Sequence, residues 1–265
     1  MNSPSLIGRS VDHGRYSLMR YIGAGGMGEV YEAEDTVLPR RVAVKTIKSG
    51  LDDPDFARRF AREAMIIAQL DHPNIVKIYS YGSEDDLNFI VMQYLGGGSL
   101  NDRLTKSAKD PSLRDTSALL IDIAAALDLA HKRGVIHRDV KPANIMFDDE
   151  GHAFLVDFGI ARPSANTANE TTMFKRAYTP NFAAPEQVML QKPTPRIDQY
   201  ALATVAYVMA AGGLPYQGNS EEIQEKKAQT EALPATVYRA QLPREVVNVL
   251  ARGLAREPDK RYPST

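Results

Sequence analysis

The sequence predicts an α+β fold that has a small, β-rich first part and a larger, mainly helical second part. From Tyr16 to about Leu95, apolar and β-branched residues come in short runs bounded by Gly, Asp and Pro, which is typical of strands. After the glycine-rich stretch "LGGGSL", apolar residues recur at helical spacing over long segments. A small lobe over about 16–95, a hinge at about 93–97 and a larger lobe over about 98–265 are therefore predicted.

Composition limits the function classes that this chain of 265 residues can have. Its net charge of −1 gives no reason to expect a nucleic-acid partner. The absence of cysteine excludes disulfides, thiolate zinc sites and cysteine nucleophiles, and it fits a reducing, cytoplasmic location. Residues 1–15 are polar and are predicted to form a flexible arm without a signal-like apolar core. The apolar run from Ala201 is too short for a bilayer, so no membrane insertion is expected.

The elements follow from the pattern of apolar residues. Five runs are predicted as strands: "YSLMRYIG", "EVYEAED", "RVAVKTI", "IVKIYSYG" and "LNFIVMQYL". One helix separates them, from about Pro54 to Leu70, with Asp53 as its N-cap. In the second part, helices are predicted over 115–134, 196–211, about 221–231 and 243–255. The first of these ends at Gly134, a natural helix-terminating residue.

A glycine-rich stretch, "IGAGGMGEV", follows the first predicted strand. Gly23, Gly25 and Gly28 stand at the spacing G-x-G-x-x-G, and glycines allow backbone N–H groups to approach phosphates closely. Gly-rich turns are common, so the spacing alone is a weak signal. A dinucleotide-binding fold requires a helix after this motif, whereas two strands follow here. The glycines are therefore predicted to form the turn of a β-hairpin.

Lys45 and Glu63 are predicted to form an ion pair. Strand alternation places Lys45 on one face with Ala43 and Ile47, where a lysine commonly extends its ammonium group to water. Glu63 interrupts the apolar face of the following helix, at a position where an apolar residue is expected. A carboxylate on a packed face is costly unless it is paired, and Lys45 is the partner that this reasoning favours.

The stretch "VIHRDVKPANIMFDDEGHAFLVDFGIAR" concentrates polar residues around two short apolar runs. "NIMF" and "AFLV" are separated by an acidic turn that contains a glycine, which indicates a hairpin. Just outside these runs lie Asp139, Lys141, Asn144 and Asp157. Polar residues end many strands, which is one interpretation. The other is that these residues hold a metal ion and a reacting hydroxyl.

Taken together, the motifs resemble the protein kinase superfamily, in particular the eukaryotic-like Ser/Thr kinases of bacteria. They stand in the family's order: the glycine loop, "VAVK" at 42–45, "HRDVKPAN" at 137–144, "DFG" at 157–159 and "APE" at 184–186. The similarity extends from about Tyr16 to Arg261. It implies the two-lobed kinase fold, with one main helix in the small antiparallel lobe.

The resemblance also implies catalytic roles, with ATP and Mg²⁺ (or Mn²⁺) as cofactors. Lys45 would hold the α- and β-phosphates and would itself be held by Glu63. Asp139 would orient the attacking hydroxyl and accept its proton, and Lys141 would stabilise the transferring phosphate. Asn144 and Asp157 would bind the metal ions.

By the same resemblance, an adenine pocket and an apolar column connecting the lobes are expected. The glycine loop with its preceding isoleucine, a gatekeeper, hinge residues and apolar residues above and below the base would surround ATP: Ile22, Gly23, Gly25, Gly28, Val30, Ala43, Met92, Gln93, Leu95 and Met146. The column would consist of Ile67, Ile78, His137 and Phe158, anchored by Asp198.

Several residues between and around the DFG and APE motifs are expected to regulate the enzyme. Lys141 and Thr179 match the Ser/Thr pattern, and Thr179 would bond near Asp139. Arg138 and Arg162 would receive a phosphate placed on Thr171 or Thr172 by another copy of the chain. The resemblance further pairs Glu186 with Arg261.

Two other functions were weighed against protein phosphorylation. A pseudokinase that only binds ATP is disfavoured because Lys45, Asp139 and Asp157 are all present. A small-molecule phosphotransferase is disfavoured by the Lys141 position and the "APE" element. The expected partners are protein substrates with Ser or Thr acceptors and the chain itself in trans, as a transient homodimer. The expected location is cytoplasmic. Two interpretations of the chain stay open: the catalytic part of a longer protein, such as one anchored in a membrane past Thr265, or an unusually short domain.

Overall fold

The computed structural model describes residues 6–25, 28–48, 56–84, 87–107, 110–158 and 179–265. The chain forms two compact units, Met1–Asp71 with Ile75–Gly96 and His72–Asn74 with Gly97–Thr265. The change of unit at Gly96 lies inside the predicted hinge.

Residues 72–74 belong to the second unit, a connection that sequence analysis did not predict. Asn74 accounts for it, because its carbonyl accepts from the N–H of Leu155 at 2.8 Å. Its side-chain Nδ2 also donates to the carbonyl of Ala153 at 2.9 Å.

In its described residues, the first unit is a six-stranded antiparallel sheet with one helix, one strand more than the five predicted. The strand order is β1-β2-β3-β4-β6-β5, and the helix α1 packs against β5. The bounds are β1 Ser10–Val11, β2 Tyr16–Gly25, β3 Gly28–Asp35, β4 Arg40–Lys48, α1 Phe56–Ala68, β5 Ile78–Glu84 and β6 Leu87–Gln93. The predicted cap and first residue of the helix, Asp53 and Pro54, lie outside the described residues.

The predicted flexible arm contributes a strand to this sheet. Within its described part, β1 pairs with the start of β2, where Val11 lies opposite Tyr16. Val11 and Tyr16 are both buried, and the N–H of Gly8 donates to the carbonyl of Leu18 at 2.8 Å. This two-residue strand was not predicted, because one buried valine among polar residues shows no periodicity.

The two faces of the sheet differ as the alternation in "RVAVKTI" predicts. Val42 and Val44 belong to a buried apolar cluster together with Tyr31 of β3 and Val91 of β6. Lys45 is only partly buried and, by the alternation of a strand, lies on the opposite face. One buried apolar cluster of the unit therefore lies on the valine side of β4.

Asp35 fixes the turn between β3 and β4. Its fully buried carboxylate accepts from Nε and Nη2 of Arg15, both at 3.1 Å. It also accepts from the backbone N–H groups of Val37 and Leu38 at 3.2 Å. The hydrogen bonds from Arg15 are the main cause that lowers the pKa of Asp35 to about 2, against the opposing effect of burial.

The second unit is mainly helical and includes one short hairpin, β7–β8. Its elements are α2 Leu100–Lys106, α3 Leu113–Lys132, a 3-10 turn Pro142–Asn144, β7 Ile145–Phe147, β8 Ala153–Leu155, α4 Pro185–Val188, α5 Arg196–Ala211, α6 Ser220–Gln229, a 3-10 turn Ala235–Val237, α7 Arg244–Gly253 and a 3-10 turn Pro258–Lys260. Four helices agree with the predicted ones to within a few residues. The α+β prediction is confirmed.

Helix α2 was not predicted, although its sequence carries a start signal. Ser99 and Asp102 form a capping box: the serine Oγ accepts from the N–H of Asp102 at 3.1 Å, and Asp102 Oδ2 accepts from the N–H of Ser99 at 3.0 Å. The helix is seven residues long. It is therefore too short for apolar periodicity to show.

Helix α5 is buried on most of its sides and forms the centre of the second unit. Ile197, Tyr200 and Tyr207 pack with Leu250 and Leu254 from the α7 region. The apolar run from Ala201 is thus a core helix, as predicted. Among the described residues, no helix combines the length and apolar character that crossing a membrane requires.

Replacing Asp35 by Asn should reduce stability at neutral pH and much less in acid. Because the pKa of Asp35 is lower in the folded state than in the unfolded state, its contribution is present above about pH 4. It is lost as the pH falls through about 2. The difference in the free energy of unfolding between wild type and Asp35→Asn should shrink by about 2 kcal/mol between pH 5 and pH 2. Urea denaturation followed by circular dichroism measures it.

The control is the Asp71→Asn variant at an exposed site. Its free energy of unfolding should stay close to that of wild type from pH 5 to pH 2. A pH-independent difference for Asp35→Asn would contradict this account.

Candidate active site

The buried carboxylate of Asp198 holds the loop that precedes Asp139. Its Oδ2 accepts from the N–H of His137 at 2.8 Å, and its Oδ1 accepts from the N–H of Arg138 at 2.7 Å. Arg138 has a φ of +66°, a conformation that costs energy for a residue with a side chain. The two hydrogen bonds to a fully buried acceptor stabilise that conformation. Asp198 therefore sets the direction in which the chain enters Asp139.

The ring of His137 connects Asp139 to the end of β8. Its Nε2 lies 2.8 Å from the carbonyl oxygen of Val156, and its Nδ1 lies 3.2 Å from the backbone nitrogen of Asp139. A carbonyl only accepts and an N–H only donates, so the ring is the neutral tautomer protonated at Nε2. The ring also packs against Phe158, with centroids 4.6 Å apart. Two members of the predicted apolar column are thus in contact within this unit.

The pairing of β7 with β8 places the start of β7 beside the end of β8. Ile145 of β7 pairs with Leu155 of β8, and the N–H of Val156 donates to the carbonyl of Asn144 at 3.0 Å. Asn144 lies one residue before Ile145 and Asp157 lies two residues after Leu155, so both are at the same end of the hairpin. Asp157, with a φ of +59°, turns the chain away from the strand direction there.

Asn144 and Lys141 both contact Asp139. The amide Nδ2 of Asn144 donates to the carbonyl of Asp139 at 2.8 Å and to its Oδ2 at 3.1 Å. Lys141 Nζ lies 2.9 Å from the same Oδ2 and donates to the hydroxyl of Thr179 at 3.1 Å. The hydroxyl of Thr179 is thus connected to Asp139 through Lys141.

The residues at this end of the hairpin fit a divalent cation. The nitrogen of Asn144 is committed to Asp139, so its amide oxygen is the atom that can bind a metal. Asp157 adds a carboxylate, and the set of oxygen donors suits a hard cation such as Mg²⁺. The second interpretation of the hairpin, a metal beside a reacting hydroxyl, is chemically consistent with this arrangement.

In the first unit, four predicted ATP-site residues share one face of the sheet. Val30 lies opposite Lys45 in the register of β3 and β4, and Ala43 lies opposite Met92 of β6. Directly opposite residues point to the same side of a sheet. Glu63 lies in the middle of α1 and is partly buried. The ion pair between Lys45 and Glu63 stays a prediction.

The three motif glycines lie in a hairpin, not at the start of a helix. Gly25 and Gly28 are the last pair of the β2–β3 ladder, as predicted. A Cβ on Gly28 would come within 1.9 Å of the carbonyl oxygen of Thr46, so the neighbouring strand alone requires glycine there. A Cβ on Gly23 would meet nothing within 4 Å, and the adjacent Ile22 is exposed. Gly23 is thus the position where the sheet itself gives no reason for glycine.

The remaining predicted residues are those of the hinge and adenine pocket and those expected to regulate the enzyme. Gln93 ends β6, Leu95 is buried after it, and Met146 lies in β7 of the second unit. Arg138 contacts Asp198 through its backbone, and its carbonyl accepts from Nε2 of Gln187 at 3.0 Å. Arg162, Thr171 and Thr172 lie outside the described residues.

Glu186 and Arg261 form a buried ion pair, as the family resemblance implied. Arg261 Nη1 and Nη2 donate to Glu186 Oε1 and Oε2 at 2.7 and 2.8 Å. The guanidinium also donates to the carbonyls of Ala255 and Arg196 at 2.8 and 2.9 Å. This two-point pair attaches α4 to the segment after α7.

Sequence analysis missed two residues that contact this region. His131 places Nε2 2.8 Å from Asp198 Oδ2, at the end of α3. Lys227 of α6 is fully buried and donates to backbone carbonyls after Thr179. Burial lowers the pKa of Lys227 to about 7, and the negative charge of Glu186 opposes this. The only hint in the sequence is Ile223, a buried residue four positions earlier on the same helical face.

The family model for the protein kinase domain matches residues 16–265. The chain belongs to the protein kinase family. The prediction made from the motifs is confirmed. Members of this family use ATP and a divalent cation and act on proteins.

Its relatives are bacterial and are named as Ser/Thr protein kinases. PrkC of Bacillus subtilis is 39% identical over 97% of this chain and 40% of its own length. PknH of Mycobacterium tuberculosis is 40% identical over 95% of this chain and 40% of its own length. A probable kinase PknB of Bifidobacterium longum is 37% identical over 94% of this chain and 38% of its own length. This kinase domain therefore spans about two fifths of these relatives.

Breaking the buried pair by Arg261→Met should destabilise the protein strongly. The variant leaves the carboxylate of Glu186 buried without its cation, which costs about 3–5 kcal/mol. Thermal unfolding followed by circular dichroism measures the loss. Lys260→Met is the matched control on the adjacent residue, because Lys260 pairs with Glu257 at an exposed site. Its effect should stay below about 1 kcal/mol, and equal effects of the two variants would contradict the prediction.

Proposed function

We propose that this chain transfers the γ-phosphoryl group of ATP to Ser or Thr hydroxyls of proteins. The observation that carries the proposal is the cluster of Lys141, Asn144 and Thr179 around Asp139. A carboxylate held by two hydrogen-bonding partners, on a loop fixed by Asp198, is suited to orient a hydroxyl group. The bacterial Ser/Thr kinases described above support the choice of acceptor.

In the proposed reaction, Asp139 accepts a hydrogen bond from the acceptor hydroxyl and finally its proton. The hydroxyl oxygen forms a bond to the γ-phosphorus as the bond from that phosphorus to the leaving oxygen of ADP breaks. The electron pair of the broken bond stays with ADP. Catalysis of this kind depends on positioning and charge neutralisation.

Lys141 has two tasks in this proposal. Its ammonium, next to Asp139, places positive charge where the transferred phosphoryl oxygens gather negative charge. Its bond to Thr179 connects the catalytic loop to the segment before α4. A Ser or Thr acceptor would approach along this segment.

Asn144 and Asp157 would hold Mg²⁺, for which Mn²⁺ is the alternative. A bound metal ion would neutralise negative charge on the phosphates. The amide nitrogen of Asn144 keeps its oxygen directed away from Asp139, so one side chain both orients the base and offers a ligand atom. The hairpin register keeps Asp157 at the same end as Asn144.

In the first unit, Lys45 would bind the α- and β-phosphates, and Glu63 would orient Lys45. Val30, Ala43 and Met92 would contact the adenine on the face that they share with Lys45. Ile22, Gly23 and the hinge residues Gln93 and Leu95 would complete the contacts that the first unit makes with ATP. The open space at Gly23 supports a close approach of ATP there.

Activation would proceed by phosphorylation of Thr171 or Thr172 by a second copy of the chain. Arg138 and Arg162 would bind the new phosphate through charge-assisted hydrogen bonds.

Asp139→Asn should abolish self-phosphorylation while ATP binding persists. Phosphatase-treated protein would be incubated with Mg²⁺ and ATP, and its intact mass measured. Wild type should gain increments of one phosphate, and the variant should lose at least about a hundred-fold in rate, because asparagine cannot accept the proton. Asp122→Asn, an exposed carboxylate on α3, is the control and should behave as wild type.

If wild type gains no phosphate and modifies no Ser/Thr peptide library although it binds ATP, the chain is a pseudokinase. Peptide mapping of the wild-type product tests the activation step. Phosphate confined to positions other than Thr171 and Thr172 would contradict that step but not the transfer reaction.

A further inference from the structure

Lys227 is a buried cation that the reaction described above does not use. It lies on α6, a helix with a largely polar sequence, yet its side chain has no solvent exposure. The adjacent Lys226 instead donates to the carbonyl of Gln217 at an exposed site. Burying an ammonium group is costly, so it must be compensated by strong partners.

The partners of Lys227 are three backbone carbonyls of one turn. Its Nζ donates to Pro180, Asn181 and Ala183 at 2.8, 2.9 and 2.6 Å. An ammonium group has three N–H bonds, and the three acceptors use all of them. The rings of Tyr200 and Tyr216 lie 5.2 and 5.7 Å from Nζ and add a favourable environment for a cation.

The turn held by Lys227 begins at Thr179. The carbonyl of Thr179 accepts from the N–H groups of Phe182 and Ala183 at 3.0 and 3.2 Å, which closes the turn. The hydroxyl of the same threonine accepts from Lys141, whose Nζ lies 2.9 Å from Asp139. A continuous series of hydrogen bonds thus leads from Lys227, through the turn 179–183, to the catalytic carboxylate.

We propose that Lys227 is a positioning residue for phosphoryl transfer. Its ammonium group fixes the turn 179–183, and this turn holds the hydroxyl of Thr179 beside Lys141 and Asp139. This inference rests on the proposed function. Without the ammonium, three carbonyls, of which that of Ala183 is buried, would lose their donor, and the turn would shift to satisfy them. Thr179 would then leave Lys141, and the acceptor hydroxyl would meet a less well oriented Asp139.

The test compares Lys227→Met with wild type as enzymes acting on one substrate, the Asp139→Asn copy of this chain. Methionine is of similar length and apolar, so it fills the space without the ammonium. The assay is run at pH 6.5, below the pKa of about 7 of Lys227, so that most wild-type molecules carry the ammonium. Because a misplacement of about 1 Å can cost about a hundred-fold in rate, kcat should fall ten- to a hundred-fold. The KM for ATP should stay within two-fold.

Lys226→Met is the matched control on the same helix and should keep wild-type kcat. A second variant, Lys227→Ala, tests the ammonium group directly. Propylammonium should restore at least a tenth of the lost activity, because it supplies the missing atoms with three N–H donors. The uncharged 1-propanol, of similar size, should restore none. This comparison decides the matter also if Lys227→Met does not fold.

The outcomes separate the two hypotheses. A wild type inactive on both the Asp139→Asn copy and a Ser/Thr peptide library overturns the proposed function. A wild-type kcat for Lys227→Met overturns the positioning role alone. Equal rescue by propylammonium and 1-propanol, or no rescue by either, also overturns it, because the ammonium would then have no special part. A fall in kcat with rescue by propylammonium only establishes it.

Discussion

The arrangement of the loop that leads into Asp139 depends on one buried carboxylate, that of Asp198. A fully buried carboxylate is stable only when donors surround it. Here two consecutive backbone N–H groups, of His137 and Arg138, and the ring of His131 lie at 2.7–2.8 Å. The backbone donors commit Arg138 to a left-handed conformation, and that conformation directs Asp139. The charge on α5 thus determines the geometry of a loop about sixty residues earlier in the chain.

Hydrogen bonds connect this loop to two other segments of the chain. The ring of His137 contacts the carbonyl oxygen of Val156, next to Asp157, and so connects the end of the hairpin to the loop. Lys141 connects it to Thr179. Beyond Thr179 the chain is held at two more places, by Lys227 on the turn and by the pair of Glu186 with Arg261 at α4. Each attachment joins segments that are distant in the sequence.

Several features could be predicted because they depend on local pattern. The alternation in β4 separated Val44 from Lys45, and the length and apolarity of α5 indicated a core helix. The hairpin of the glycine motif followed from the strands on both sides of it. The features that were missed have no such pattern. Strand β1 and helix α2 are too short to show a period, and Asn74 joins the second unit through two hydrogen bonds that no local rule contains.

The sequence by itself determined the fold class and the family, and it predicts the catalytic residues, because strand and helix periods and motif order are properties of neighbouring residues. Only the tertiary structure decided which groups complete the site. It showed that the strand beside Gly28 requires that glycine, whereas Gly23 has open space. It also placed Lys227 against three carbonyls some forty-five residues away in the chain. A buried lysine on a polar helix has the same sequence signature as an exposed one, since the cost of its burial is met by groups that only folding brings near.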